Sequence, residues 1–449
     1  MTTPPHTSTI TSDLKRELGL FDAVMINVGT MIASAIFIVP ATAAAAVHGT
    51  ALMTLVWVVG GIVSLLGALS IAELAAAYPE AGGQYAYLRE AYGTVWAFLY
   101  GWANFAVINT ASIAAIAVGF ARYIGFFTPL TESAVRVIAI ASIVTLTLLN
   151  CRGVRLGATT QNILTILKIG ALVALIVTSF ALPGGSATHF QPLWPSGGVG
   201  QLIGPFGVAM VAVLWAYDGW IETTYVGSEI VNPGRNLPRS IILSTLIVIA
   251  LYVLASVAYA YVLSPEGMAA SKLVASDVAR VTMGAVGATF VVVAILISTL
   301  GANNGIILTA ARIPYAMARG RMFFRSQGVV HARYATPAVA LVTQGVIASI
   351  LTAFGSYDQL FTYVVFAQFV FYALSASAVI RLRQKAPQLA RPYRTWGYPA
   401  TPIVFIAFAV WLVYNTIVET PKDSAIGAGI ILLGLPGYYY WRRAGRAGR

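Results

Sequence analysis

Long apolar stretches, broken only by short polar segments, recur along the whole chain. They lie at about 22–47, 51–77, 95–124, 134–150, 158–182, 201–230, 237–263, 285–312, 335–354, 357–380, 398–418 and 424–441. A helix needs about 20 apolar residues to cross the hydrocarbon core of a bilayer. At these lengths only helices satisfy every backbone amide and carbonyl in lipid. The pattern therefore predicts an all-α integral membrane protein with 12 transmembrane helices. Composition agrees: 58% of the 449 residues are hydrophobic and only 9% are charged. A soluble domain carries about 25% charged residues, so a soluble enzyme is excluded.

The formal net charge of +12 does not point to nucleic acid, because the basic residues sit in short loops between apolar runs. With the N-terminus placed in the cytoplasm, 21 of the 27 Lys and Arg residues fall on the cytoplasmic side, and five fall outside. This asymmetry predicts both termini in the cytoplasm, and the expected place is the cell membrane, as a multi-pass inner-membrane protein. The single cysteine, Cys151, excludes an intrachain disulfide, a thiolate zinc cluster and an iron–sulfur site. His6, His48, His189 and His331 fall in the tail or near loops, so no metal or other cofactor is expected. No cleavable signal is expected either, since the first apolar run follows about 20 polar residues and is too long for a signal core.

Two runs differ from the rest. The first holds Asn27, Gly29, Thr30 and Ser34 before Pro40, and the sixth holds Gly204, Pro205 and Gly207, then Tyr217, Asp218 and Gly219. Interrupted helices at matching positions of two halves point to an inverted-repeat transporter with its site near the membrane midplane. The expected organisation is a tail at 1–20, a first repeat of five helices at 21–182, a second at 201–383, helices 11 and 12 at 395–441, and a basic tail at 442–449.

At this point the residues resemble a known family. The run from Gly29 to Phe37, the loop from Pro79 to Tyr85, Trp215-Ala216-Tyr217-Asp218-Gly219-Trp220, Glu229, the segment from Asn232 to Pro238, and the run from Ser298 to Gly305 occur in this order. Together they look like the amino acid, polyamine and organocation (APC) superfamily. Within it they resemble the L-type amino-acid transporter branch and its bacterial serine/threonine-exchanger relatives, over about residues 18–400. The resemblance implies a 5+5 inverted repeat with discontinuous helices 1 and 6. It also implies a secondary transporter that moves amino acids, neutral L-amino acids first, by alternating access, through exchange or proton-coupled symport. A polyamine or cationic amino-acid antiporter of the same fold is the alternative.

Such a site binds a zwitterion with fixed dipoles, because full charges are expensive at midplane. By resemblance the carboxylate meets the backbone around Ser34 and Ala35, and the ammonium meets carbonyls near Met31, Trp215 and Asp218, with Gly219 at the second break. Ala33 and Ala35 replace the family's glycines. Either the break here uses only negative φ, or the unwound segment is shorter or shifted, and the two methyls narrow the cavity. Trp215 resembles the family's gating aromatic.

Lys168 lies about ten residues into the fifth run, roughly 15 Å from either end. It is either a snorkelled or structurally paired lysine, or an ammonium in the space a sodium ion takes in coupled relatives, joining Gly29 to Ser298 and Thr299. The second reading predicts sodium-independent transport. Asp218 and Glu222 are intramembrane carboxylates that could bind a cationic group, carry a proton or pair with a neighbouring helix. Asn104, Asn109, Asn303 and Asn304 must find partners in lipid and are pocket candidates mainly at Asn104 and Asn304. Glu73 reads as structural.

An integral-membrane enzyme would need a buried nucleophile, base or metal cluster that the runs lack, and a channel would need a polar stripe along several helices. The expected partners are a small-molecule amino acid and the lipid bilayer. Animal members of the branch disulfide-bond to a heavy chain through the loop after the third run, where this chain has no cysteine, so no such heavy chain is expected.

Overall fold

The computed structural model describes residues 13–195, 199–354 and 357–447. The outer parts of both tails, with His6 and Arg449, lie outside the described residues. Everything described is helix and connecting loop, apart from two isolated backbone bridges, Leu18 with Ile230 and Ala81 with Val226.

The first apolar run forms two helices, α1 (Leu20–Met31) and α2 (Ala35–Val47), bent by 44° across a three-residue gap. Asp22, in the first turn of α1, accepts from the Gly19 amide at 2.9 Å and places its charge at the positive end of the helix. After α3 (Thr50–Ala77), the Pro79–Gly83 loop turns into a short helix, α4 (Gln84–Tyr92). Next come α5 (Thr94–Ile124), α6 (Glu132–Cys151) and α7 (Val154–Ala181). Within α5 the residues Asn104–Ile108 form a π-helical turn. Asn104 Nδ2 donates to the Tyr100 carbonyl at 3.0 Å, Asn109 Nδ2 to Asn104 Oδ1 at 3.1 Å, and Thr110 Oγ1 to the Phe105 carbonyl at 3.2 Å. These side chains occupy the groups that the wide turn loosens.

The sixth run is helical only as far as α8 (Val199–Ala216), then passes through turns at 217–221 and a single helical turn at Glu222–Tyr225. Pro233 opens α9 (Pro233–Val262), where its missing amide costs nothing. Short helices at Pro265–Ala270 and α10 (Val274–Met283) fill the loop before α11 (Ala285–Arg319). Next are α12 (Ala338–Phe354), α13 (Tyr357–Lys385) and α14 (Ala400–Glu419). The last apolar run differs from expectation: it divides at Leu433 into α15 (Pro421–Leu432) and α16 (Gly434–Ala447). Among the described residues seven helices are long and apolar enough to cross a membrane, or eight with the bent α1–α2 pair.

α1 lies at the centre, packed against α7, α9 and α11, and α9 packs along α3. Gly29 allows the closest approach: a Cβ there would fall 2.1 Å from Gln161 Nε2 and 2.3 Å from Thr165 Oγ1 on α7. Several charged side chains at the helix ends are paired. Glu73 accepts from Arg383 at 2.9 and 2.6 Å and from the Thr395 amide at 2.8 Å, with Arg391 at 3.3 Å, in keeping with a structural role. Arg312, at the end of the apolar run 285–312, is 1% exposed inside the bundle and forks onto Glu229 at 2.7 and 2.9 Å.

Removing one member of such a pair leaves a buried charge without its partner, which typically costs about 3–5 kcal/mol, whereas replacing both with apolar groups of similar volume is far less harmful. Arg312→Met is therefore expected to lower the melting temperature of the purified protein sharply. Glu229→Met combined with it should restore most of the loss, as read by a double-mutant cycle of thermal unfolding.

Candidate functional site

Both helix interruptions open onto one place. At the first, Ile32, Ala33 and Ser34 leave the helix without entering the left-handed region: Ile32 has φ −79° and ψ 85°, Ser34 has φ −74°, and Ala33 is not among the residues with positive φ. The two alanines therefore carry no left-handed strain, which decides between the two routes open from the sequence. The Ile32 amide still bonds to Val28 O at 2.9 Å, and the Ala33 amide reaches Met31 O at 3.0 Å. Ser34 caps α2 without a side-chain bond of its own to the helix; the Phe37 amide bonds to Ser34 O at 3.1 Å, and the Ala35 and Ile36 amides remain available.

The second interruption works differently. Gly219 has φ +111°, and a Cβ on it would lie 3.0 Å from the Met31 amide and 3.1 Å from Thr30. Only glycine combines that backbone with that proximity. The Thr30 hydroxyl donates to the Gly219 carbonyl at 3.1 Å, and Asn27 Oδ1 accepts from the Thr223 amide at 2.9 Å, so the two broken helices are laced together.

A cavity of about 100 Å³ lies between them. Met31, Ala33, Ser34 and Ala35 from the first break, and Trp215, Asp218, Gly219 and Glu222 from the second, all line it. α5 contributes Ala111, Ser112, Ala115, Ile116 and Gly119, and α11 contributes Thr299 and Ile306. The Met31 carbonyl also accepts from Tyr252 Oη at 2.8 Å, and the Trp215 carbonyl from the Asp218 amide at 3.1 Å.

Lys168 is fully buried beside the first break. Its ammonium donates to the carbonyls of Gly29, Ile32 and Ser298, each at 2.8 Å. All three donors are used, and all go to backbone oxygens that the end of α1 and the middle of α11 present. Snorkelling to an interface is thereby excluded. Ser298 adds its hydroxyl to Ile32 O at 2.8 Å and Ala33 O at 3.1 Å. Thr299 lies apart from this cluster: its hydroxyl bonds to Ile295 O in its own helix at 2.8 Å, and it faces the cavity instead.

The two carboxylates occupy different surroundings. Asp218 accepts from Tyr372 Oη at 2.6 Å and from Gln368 Nε2 at 3.0 and 2.9 Å, both on α13. Glu222 accepts from the Thr309 hydroxyl on α11. Among the described residues no Lys or Arg lines the cavity that both carboxylates share. Asn104 and Asn304 do not line it. Asn104 serves the π-helical turn of α5, and Asn304 donates to Gln161 Oε1 at 2.9 Å and accepts from Asn150 at the same distance. Both are therefore interhelical or intrahelical ties, the ordinary fate of amides in lipid.

Several residues of the site escaped the sequence reading. Ile32 gives only its carbonyl, which no side-chain pattern reveals. Tyr372 and Gln368 meet Asp218 from about 150 residues away, and Tyr252 meets Met31 from beyond 200. Gly301 had a signal in the run it follows, since a Cβ there would fall 2.8 Å from Lys168 Nζ.

A family model described as amino acid permease matches residues 18–438. The serine/threonine exchanger SteT of Bacillus subtilis (strain 168) is 32% identical over 429 residues, covering 95% of this chain and 97% of SteT. The human b(0,+)-type amino acid transporter 1 is 34% identical over 424 residues, covering 92% of this chain and 84% of its own length. The human large neutral amino acids transporter small subunit 2 is 31% identical over 448 residues, covering 96% and 81%. With its apolar helices and broken α1–α2 pair, the chain is a multi-pass membrane protein that belongs to the amino acid permease family.

Proposed function

We propose that the protein is a secondary transporter of neutral L-amino acids with small side chains, working by alternating access and without sodium. The observation that carries this reading is the convergence of two helix interruptions on one small cavity. The start of α2 offers amide dipoles to a carboxylate, and the segment after Trp215 offers backbone carbonyls to an ammonium. Uncharged dipoles hold the zwitterion without placing fixed charges of their own against lipid. The cavity encloses about 100 Å³. Ala33 and Ala35 contribute to its wall, so bulky side chains are disfavoured. The relatives are named as transporters or exchangers of amino acids, and such a protein is a carrier rather than an enzyme.

In this reading Trp215 closes over the bound substrate, and Lys168 stands where a coupling ion would sit. The helices form a 5+5 inverted repeat, with 21–182 and 201–383 as its halves and two further helices to a total of 12. Both termini lie in the cytoplasm, as the Lys and Arg asymmetry supports. Cys151 then also falls on the cytoplasmic side, and the transporter works without a disulfide-linked heavy chain. Coupling is by exchange or by a proton.

A second reading is favoured by one observation: Asp218 and Glu222 share a cavity that, among the described residues, no Lys or Arg lines. That polarity suits a cationic amino acid or a polyamine. A thermal-shift panel of the twenty amino acids and putrescine on purified protein separates the two, because a ligand that binds only the folded state raises its melting temperature. Alanine, serine and threonine are expected to stabilise, and phenylalanine and tryptophan are not. Stabilisation by arginine, lysine or putrescine alone would replace the first reading with the second.

Lys168→Ala removes the ammonium that joins the Gly29 and Ile32 carbonyls of the first break to the Ser298 carbonyl. It is expected to reduce uptake into proteoliposomes at least tenfold, because orphaned buried carbonyls cost about 1–3 kcal/mol each and the break loses its fixed geometry. Wild-type uptake should be equal in sodium and in choline at fixed pH. Stimulation by sodium would show that the Lys168 ammonium does not substitute for the ion.

A further inference from the structure

We propose that the protein binds a phosphoryl-bearing anion in a basic cleft at the start of α9, well separated in the fold from the transport cavity. The cleft has a volume of about 500 Å³, and its walls include Arg16, Asn232, Arg235, Arg239, Pro392 and Tyr393. Three segments meet there: the strand-like approach to α1, the first turns of α9, and the connection between α13 and α14.

The charge distribution is the first argument. Six arginines elsewhere are neutralised by acids, Arg89 by Glu80, Arg155 by Asp22, Arg312 by Glu229, Arg319 by Asp13, and Arg383 and Arg391 by Glu73, whereas others such as Arg152 stand singly on the exposed surface. Arg16, Arg235 and Arg239 form no ion pair among the described residues, yet all three line one concavity. The three side chains are exposed and bring three positive charges to one cleft, a concentration that an anion bound there would relieve. Arginine is the side chain best matched to a phosphate, because its planar fork donates two parallel hydrogen bonds. Placement at the end of a helix bundle in a membrane protein suits a phospholipid headgroup, since basic pockets between helices bind anionic lipids. A soluble oxyanion offers the same chemistry.

The second argument is the rigidity of the walls. Glu17 and Leu18 donate their amides to Glu229 O at 2.9 and 3.0 Å, and Val231 donates to Leu18 O at 2.9 Å. Arg16 is thereby fixed relative to α9. Gly234 sits so close to the third wall that a Cβ would lie 3.2 Å from Pro392 Cγ. A bound anion would therefore tie the segments leading into and out of both broken helices to the connection before α14.

The test measures lipid retention by the purified full chain in detergent, using native mass spectrometry with phosphatidylglycerol and phosphatidylcholine as probes and inorganic phosphate as competitor. Phosphatidylglycerol is expected to be retained over phosphatidylcholine. Arg16→Gln, Arg235→Gln and Arg239→Gln should each weaken retention about fivefold. Arg152→Gln, an exposed arginine outside the cleft that forms no ion pair among the described residues, should leave it unchanged. Displacement by millimolar inorganic phosphate would assign the site to a free oxyanion, and retention in its presence would assign it to the lipid headgroup. Each of these outcomes supports the cleft as a phosphoryl site. Unchanged retention in the Arg235→Gln/Arg239→Gln variant, or an equal loss in Arg152→Gln, would overturn it, because the arginines would then act only as a diffuse positive surface. Size-exclusion profiles and melting temperatures of the variants separate loss of the site from loss of the fold, and the single substitutions are read if the double variant does not fold.

Discussion

A helix can stop inside a membrane only if the carbonyls it abandons find new donors, and in this protein one ammonium supplies two of them. Lys168 bonds to Gly29 and Ile32 at the end of α1 and to Ser298 on α11. The Ser298 hydroxyl and Tyr252 take up the carbonyls that remain at Ile32, Ala33 and Met31. In lipid the alternative is an unsatisfied polar group costing several kcal/mol. The break is therefore a property of three helices at once. The gap between α1 and α2 exists because α7, α9 and α11 each send a donor to it.

The same logic explains why the two interruptions use different residues. The first turns by dihedral angles open to any L-residue, so alanines suffice there and leave their methyls in the cavity wall. The second must turn through positive φ while almost touching the end of α1, and glycine is the residue that does both. One cavity is thus bounded by a wall that tolerates side-chain variation and a wall that does not. The width of the cavity is set from the first, and the contact between the two broken helices is set from the second.

Much of this was legible in the sequence because it is a matter of solvent. Apolar length, the polar residues within the first and sixth runs, and the lysine inside the fifth are local signals, and each marks where lipid would otherwise exact a penalty. Illegible features were those whose partners are remote. Nothing near Arg312 announces Glu229, and nothing near Asp218 announces Tyr372. Asn104 looked like a pocket amide because a polar residue in an apolar run carries no label for its partner, which lies four residues away in its own helix. The split at Leu433 was hidden by continuous hydrophobicity, since composition alone does not report a bend between two apolar helices.

The wide turn at Asn104–Ile108 bears on the cavity from a distance. A single π-helical turn accommodates one residue more than the regular spiral, so everything downstream is rotated by about 100° relative to an uninterrupted α-helix. Ala111, Ser112, Ala115, Ile116 and Gly119 form a wall of the cavity only because of that phase offset. Excising one position from the turn would rewind the segment and swing this whole stripe aside, exchanging a wall of small residues for whatever the neighbouring face carries. The pocket's shape is thus written partly as an extra residue, several positions upstream of any atom that lines it.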